Sequence, residues 1–307
     1  MDDAELIEAG LRSAEIGLDA QNRIWCEHSD EKLDDARGLM SALRVLHRLV
    51  AVGEPLAGLS IGSSEAPQLP LMQAACQKHL LLYDIDRLAL ERLKERLHRQ
   101  FLKHVTPVVG DYTLDFSDAA AARRSLQDKL SGQAMHLVIL HHSLYYDDFT
   151  RWPALFEALH SVVMAPRSIL HAVMMSATAS GEETTTALYN RFVGRYFGQS
   201  TDQDLVAFGQ SLKERPGFEA AVIGQATREV RFWADDFHDF MAPVWMIMLY
   251  PHVFNYSLEQ RREITAYVLQ TFWRQQRPLV QVQDYLTLVK GAGPGGLGFD
   301  PSSVSIA

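Results

Sequence analysis

Four chemically apt positions fall at the ends of short apolar runs. Gly62 closes Leu56-Ala57-Gly58-Leu59-Ser60-Ile61, and Asp84 closes Leu80-Leu81-Leu82-Tyr83. Gly110-Asp111 follows Val105–Val109, and His141-His142 follows His136–Leu140. A glycine there lets a ligand approach the backbone, and a carboxylate at the next run's end accepts both hydroxyls of a ribose. Asp84 stands 22 residues after Gly62, the separation of a strand–helix–strand unit with its acid about 20 residues on. Asp111 is placed to meet an adenine amine, and a histidine accepts or gives a proton near neutral pH. Ser63, Ile85 and Tyr112, which follow Gly62, Asp84 and Asp111, complete the candidate cofactor set with His141. Plainer roles compete: Gly62 as a tight turn, Asp84 as a helix cap, Asp111 as a turn residue. Asp86 is the better-placed cap, which leaves Asp84 for the ribose. Side chains alternate on a strand, so one of His141 and His142 faces the core.

The elements that must position these residues alternate. Apolar runs of strand length at 56–62, 80–84, 105–109, 136–140 and 168–174 are separated by helical patterns at about 69–78, 90–97, 118–130 and 152–163. Such alternation predicts a parallel sheet covered by helices on both faces, with ligands at the strands' carboxyl ends. Before it, Ile7, Leu11 and Leu18 share one helical face, and Leu39, Leu43, Leu46 and Val50 another. After it, 182–275 reads as mostly helical and aromatic, and Val280–Lys290 as a late strand. The domain expectation is an N-terminal helical region (1–52), an α/β core (53–180), a mainly helical cap (181–278), a closing strand (279–290) and a flexible, glycine-rich tail (291–307).

Composition narrows the partners. With 29 basic against 38 acidic residues the net charge is −9, which disfavours nucleic acid and anionic lipid. Met135–Leu140 and Met241–Tyr250, the most apolar runs, fall short of the ~20 residues that span a bilayer. Two cysteines without a CxxC argue against a disulfide scaffold or thiolate zinc site and suggest a reduced, cytoplasmic setting. Asp235, Asp236, His238 and Asp239 read as a surface patch, and no metal is expected.

The loop Gly62-Ser63-Ser64-Glu65-Ala66-Pro67-Gln68 has one glycine and an acid. A pyrophosphate needs the G-x-G-x-x-G turn, and Glu65 would repel it. S-adenosylmethionine (SAM) carries no phosphate and a cationic sulfonium, so this loop suits it. Four segments resemble the class I SAM-dependent methyltransferases, and within them the histamine N-methyltransferase group: His28-Ser29-x-Glu31, Leu59-Ser60-Ile61-Gly62, Ile139-Leu140-His141-His142-Ser143-Leu144-Tyr145-Tyr146, and Val280–Val289. The resemblance covers most of 25–200 and the end strand. It implies a doubly wound, mostly parallel seven-stranded Rossmann-like sheet, with N-terminal helices and a helical cap inserted before the last strand or strands.

It also implies roles. A glutamate at Glu31 holds the substrate amine or imidazole, although Asp30, Glu31, Asp34 and Asp35 alone would read as a solvated face. His142 stands where the family has glutamine, and Gln283 or Asp284 where it has asparagine. Glu31 and His142 are thus the catalytic candidates, each able to orient an acceptor and take its proton. Tyr145 and Tyr146 form an aromatic wall suited to a sulfonium, and Trp245, with Trp233, Phe237, Phe240 and Phe254, lines an apolar pocket or packs as core. The expected activity is methyl transfer to a small amine- or imidazole-type acceptor, as monomer or homodimer. An O-methyltransferase and a non-catalytic binding protein of the same fold are the alternatives.

Overall fold

A computed structural model describes residues 1–63, 68–252 and 254–292. Three helices come first: α1 (Asp3–Arg12), α2 (Leu18–His28) and α3 (Glu31–Leu49). Then follow β1 (Ala57–Ile61), α4 (Leu69–Ala75), β2 (His79–Asp84), α5 (Arg87–Arg99), β3 (Val105–Val109), α6 (Tyr112–Asp115), α7 (Ala119–Asp128), β4 (Met135–His141), α8 (Trp152–Ala158) and β5 (Met164–Met175). The chain continues through α9 (Thr185–Phe197), α10 (Leu205–Leu212), β6 (Val222–Phe232), α11 (Phe237–Leu249), α12 (Leu258–Val268) and β7 (Leu279–Lys290). The seven strands form one sheet in the order β3-β2-β1-β4-β5-β7-β6. β3–β2, β2–β1, β1–β4 and β4–β5 pair in parallel.

Contacts divide the chain into two compact units. One comprises Asp35–Met174, Leu205–Ala226 and the described residues from Asp284. Its strands send alternate side chains into two cores. Leu59, Leu81, Val138 and Leu170 pack with Trp152, Phe156 and Phe208. Leu80, Leu82, Leu137, Ile139 and Ile169 pack with Leu39, Leu46, Leu90 and Leu93. This period of two, with both faces covered, explains why β1 is buried at every position. Each leucine so buried contributes about 1.5–3 kcal/mol. Asp86 begins α5 by accepting from the Leu88 and Ala89 amides at 2.8 and 3.0 Å, the cap expected of it.

The other unit comprises Met1–Asp34, Met175–Asp204 and Thr227–Gln283. Its core is aromatic. Trp25 stacks on Phe232 at 5.4 Å, and Trp233 on Trp273 at 5.3 Å. α1 starts with a capping box between Asp2 and Glu5, and α12 with one between Ser257 and Gln260. Bridges from Ser29 to Phe232 and from Thr184 to Val280 tie its separate segments together.

Residues 182–275 are mostly helical as expected, through α9, α10, α11 and α12, and they also hold one strand that the sequence reading did not name, β6. β6 ends the strand order, and its exposed positions include Thr227, Glu229 and Arg231. An edge strand with polar side chains on its open side carries too weak an apolar alternation to be read as a strand. The late strand stands as expected, at Leu279–Lys290. The flexible tail was expected over 291–307, and 293–307 of it lie outside the described residues.

Candidate functional site

The sheet's chain order reverses beside β1: β2 and β3 lie to one side, and β4 and β5 to the other. In an open α/β sheet this switch point is where ligands bind. The register Ile61↔Tyr83 sets Gly62 and Asp84 side by side at the ends of β1 and β2. Asp84↔Val109 then sets Gly110-Asp111 just beyond the end of β3.

Gly62 has φ +71, a left-handed conformation that favours glycine. Its amide donates to the Tyr83 carbonyl at 2.8 Å, as does that of Ser63 at 3.2 Å. Ser63 Oγ turns inward to the Ser60 carbonyl at 2.6 Å. A Cβ at position 62 would lie 2.4 Å from the Cβ of Ser143, the residue after His142. Ser143 Oγ is buried and has no hydrogen-bond partner among the described residues. Residues 64–67, with Glu65 of the glycine-poor loop, lie outside the described residues.

Asp84 Oδ1 accepts from the Asp86 amide at 2.9 Å. Ile85 is 68% exposed, an apolar surface directly after the carboxylate. Asp111 caps α6, with Oδ1 accepting from Thr113 N and Oγ1 at 2.9 and 2.7 Å. The turn role weighed for Asp111 is therefore filled. Tyr112 is buried and donates its hydroxyl to the Ser143 carbonyl at 2.6 Å, tying α6 to the β4 loop. Burial pushes its phenol pKa well above the usual value. Burial likewise holds the Asp147 carboxyl above the ordinary range, against the pull of Arg151.

His141 ends β4 and sits 3.0 Å from the Nδ1 of His171 on β5. His142 has φ +53, uncommon outside glycine, and its amide donates to the Val173 carbonyl at 2.8 Å. Its Nδ1 meets the Tyr145 hydroxyl at 3.3 Å, and its Nε2 lies 3.7 Å from Oδ2 of Asp35. Tyr285 Oη donates to Asp35 Oδ1 at 3.3 Å. Tyr145 is half-buried beside His142, whereas Tyr146 is 54% exposed. Sequence reasoning missed Asp35. The available signal was periodicity, because Asp35 stands four residues before Leu39 and so extends the buried stripe of α3.

In the other unit, Glu31 is 3% exposed. The solvated-face alternative therefore fails. The Glu31 amide donates to Ser29 Oγ at 3.3 Å as α3 begins. Gln283 Nε2, on β7, donates to Glu31 Oε1 at 3.1 Å, and the Lys32 ammonium lies 2.5 Å from Oε2. Of Gln283 and Asp284, Gln283 is thus the amide that meets Glu31. Arg228 pairs with Asp34 at 2.8 Å. Trp245, for which pocket lining and core packing were both open, is fully buried in the aromatic core, with its indole N–H on the Gly10 carbonyl at 2.8 Å. A wide apolar ring whose one donor is satisfied belongs to packing. Asp236, in the suspected surface patch, caps α11 by accepting from the Asp239 amide at 2.9 Å.

No protein-family model matches the sequence, and no curated protein matches it. Among solved structures, the chain is similar to the YcgJ protein of Bacillus subtilis, with a TM-score of 0.51, 10% identity, and 84% of this chain and 98% of that one covered. It is also similar to a candidate methyltransferase of Bacillus halodurans, with a TM-score of 0.50, 14% identity, and 81% and 98% covered. At these identities the likeness concerns the fold, which is the seven-stranded, Rossmann-like fold of the class I methyltransferases. Among the described residues, no helix is long and apolar enough to cross a membrane.

Proposed function

We propose that the chain is a SAM-dependent methyltransferase that acts on a small molecule bearing an amine or imidazole nitrogen. The observation that carries this reading is the pairing of Gly62 and Asp84, a left-handed glycine beside a strand-end carboxylate at the switch point. The residues present fit the cofactor. Asp84 would hold the ribose diol, Ile85 would cover one face of the adenine, and the buried, unpartnered Ser143 hydroxyl lies beside Gly62. Bound SAM supplies an electrophilic methyl group and a neutral thioether leaving group.

The protein's own task is to hold an acceptor in line, exclude water and manage one proton. Glu31 is the residue for a cationic acceptor. A buried carboxylate is costly without a compensating charge, and the Lys32 ammonium beside Oε2 supports reading this one as a cation-binding group. Gln283 orients the carboxylate. His142 takes the proton. Nucleic acid and membranes have no part in this reading.

Calorimetry with S-adenosylhomocysteine tests the cofactor half. Micromolar binding is expected, and no binding at millimolar ligand would leave a non-catalytic protein of this fold. Labelled SAM with a panel of amines, imidazoles and phenols tests the acceptor half. Transfer confined to phenols would replace the N-methyltransferase reading with an O-methyltransferase.

A further inference from the structure

Beneath the β4 loop lies a polar chain that methyl transfer alone does not require. Asp35 is buried on α3, and its two oxygens face different partners, His142 Nε2 at 3.7 Å and the Tyr285 hydroxyl at 3.3 Å. On the other side of the imidazole, Nδ1 faces the Tyr145 hydroxyl at 3.3 Å. Gly38 lets α3 come close: a Cβ there would lie 3.0 Å from Tyr285 Cε1 and 3.3 Å from His171 Nε2. His142 itself is held at φ +53. Strain of this kind persists where the surroundings over-determine a residue, and it clusters at functional sites.

We propose that Asp35 is the positioning carboxylate of a proton relay, Asp35–His142–Tyr145, which makes the site one for acceptors that arrive with a proton on the nucleophilic atom. The proposal rests on the methyltransferase reading. Asp35 fixes the ring with Nε2–H toward its own Oδ2, which leaves Nδ1 as the base. The acceptor's lone pair forms the bond to the methyl carbon, and the carbon–sulfur bond breaks with its electron pair going to sulfur. The acceptor's proton passes to Tyr145 Oη as the phenolic proton moves to His142 Nδ1. The imidazolium so formed faces the Asp35 carboxylate, which stabilises it, and returns its proton to water. The 3.7 Å separation is an ion-pair distance, and catalytic hydrogen bonds often tighten only when substrate is bound.

Asp35 from α3 and Tyr145 from the turn after β4 face the ring, with Tyr285 of β7 behind Asp35. Glu31 precedes Asp35 by one turn of α3.

The test is NMR of the full chain labelled at histidine, with His142 assigned through His142→Gln. In the wild type the neutral ring is expected as the Nε2–H tautomer; an Nδ1–H tautomer overturns the relay without any variant. In Asp35→Asn the His142 titration midpoint should move to lower pH, while Asp35→Glu keeps it in place. An unmoved midpoint in a folded Asp35→Asn protein also overturns the proposal. Tyr145→Phe should lower the turnover of protonated acceptors at least tenfold and leave KM within twofold, and unchanged turnover refutes the relay's last step. Calorimetry with S-adenosylhomocysteine runs beside these. Failure of the wild type to bind it removes the methyltransferase reading, whereas the tautomer and midpoint still decide the Asp35–His142 pair.

Discussion

Gly62 and Ser143 approach so closely that one added carbon at position 62 would sit 2.4 Å from the Ser143 Cβ. Gly62→Ala therefore meets two penalties, a left-handed backbone costing roughly 1–2 kcal/mol and a steric clash. We expect lower stability and weaker S-adenosylhomocysteine binding. Adding Ser143→Gly should relieve the clash and recover part of both losses, because only the backbone penalty remains. Urea denaturation and calorimetry on the single and double variants decide it; no recovery in the double variant would refute the contact.

Asp84 and Asp86 should separate cleanly. Asp84→Ala removes the proposed ribose acceptor and should weaken S-adenosylhomocysteine binding tenfold or more, on the order of 1.5–3 kcal/mol for a charged hydrogen bond. Asp86→Ala removes the α5 cap and should cost about 1 kcal/mol of stability with binding retained. The reverse pattern would show that the ribose ligand is misassigned.

Glu31→Gln keeps the shape and removes the charge. Slower turnover of amine acceptors is expected with cofactor binding intact. Equal turnover by variant and wild type, measured with labelled SAM, would end the amine-holding role.

Trp245→Phe tests a packing role. The Gly10 carbonyl loses its donor and the core loses volume, so stability should fall by about 1–3 kcal/mol. Acceptor preference should stay the same. A changed preference at unchanged stability would return Trp245 to the pocket.

His160 gives a pH dependence with a definite sign. Burial first, then the Lys290 ammonium, pushes its folded pKa down to about 4 from an ordinary 6.5. Below pH 6.5 the unfolded chain takes up a proton that the folded ring refuses. Stability therefore falls as pH drops from 6.5 to about 4, and this group adds no further slope below that. His79, lowered by its own burial and by His104, acts in the same direction. His160→Gln should show a smaller loss in urea midpoint between pH 7 and pH 5, and an identical loss would exclude this ring as a source.

The parallel sheet and its strand-end residues were legible because each apolar run is short, buried on both faces and closed by a glycine or an acid. Gly62, Asp84 and Asp111 announce themselves by position alone. Three features did not. The side chains of β6 mix charge with hydrophobicity, as an edge strand permits. Asp35 sits in the same acidic run as Glu31, which only the His28-Ser29-x-Glu31 resemblance singled out, and the burial of both depends on tertiary packing that no local window contains. Trp245 is aromatic in either role, and only the Gly10 carbonyl, far away in the chain, distinguishes core from pocket.

That last contact spans 235 positions. During synthesis at roughly 5–20 residues per second, the partner of Gly10 emerges on the order of 10–50 s after α1. The apolar faces of α1 and α2 wait through that interval without their aromatic core. A nascent chain stalled before α11 would thus present exposed helices suited to chaperone capture, and this unit acquires its stability late.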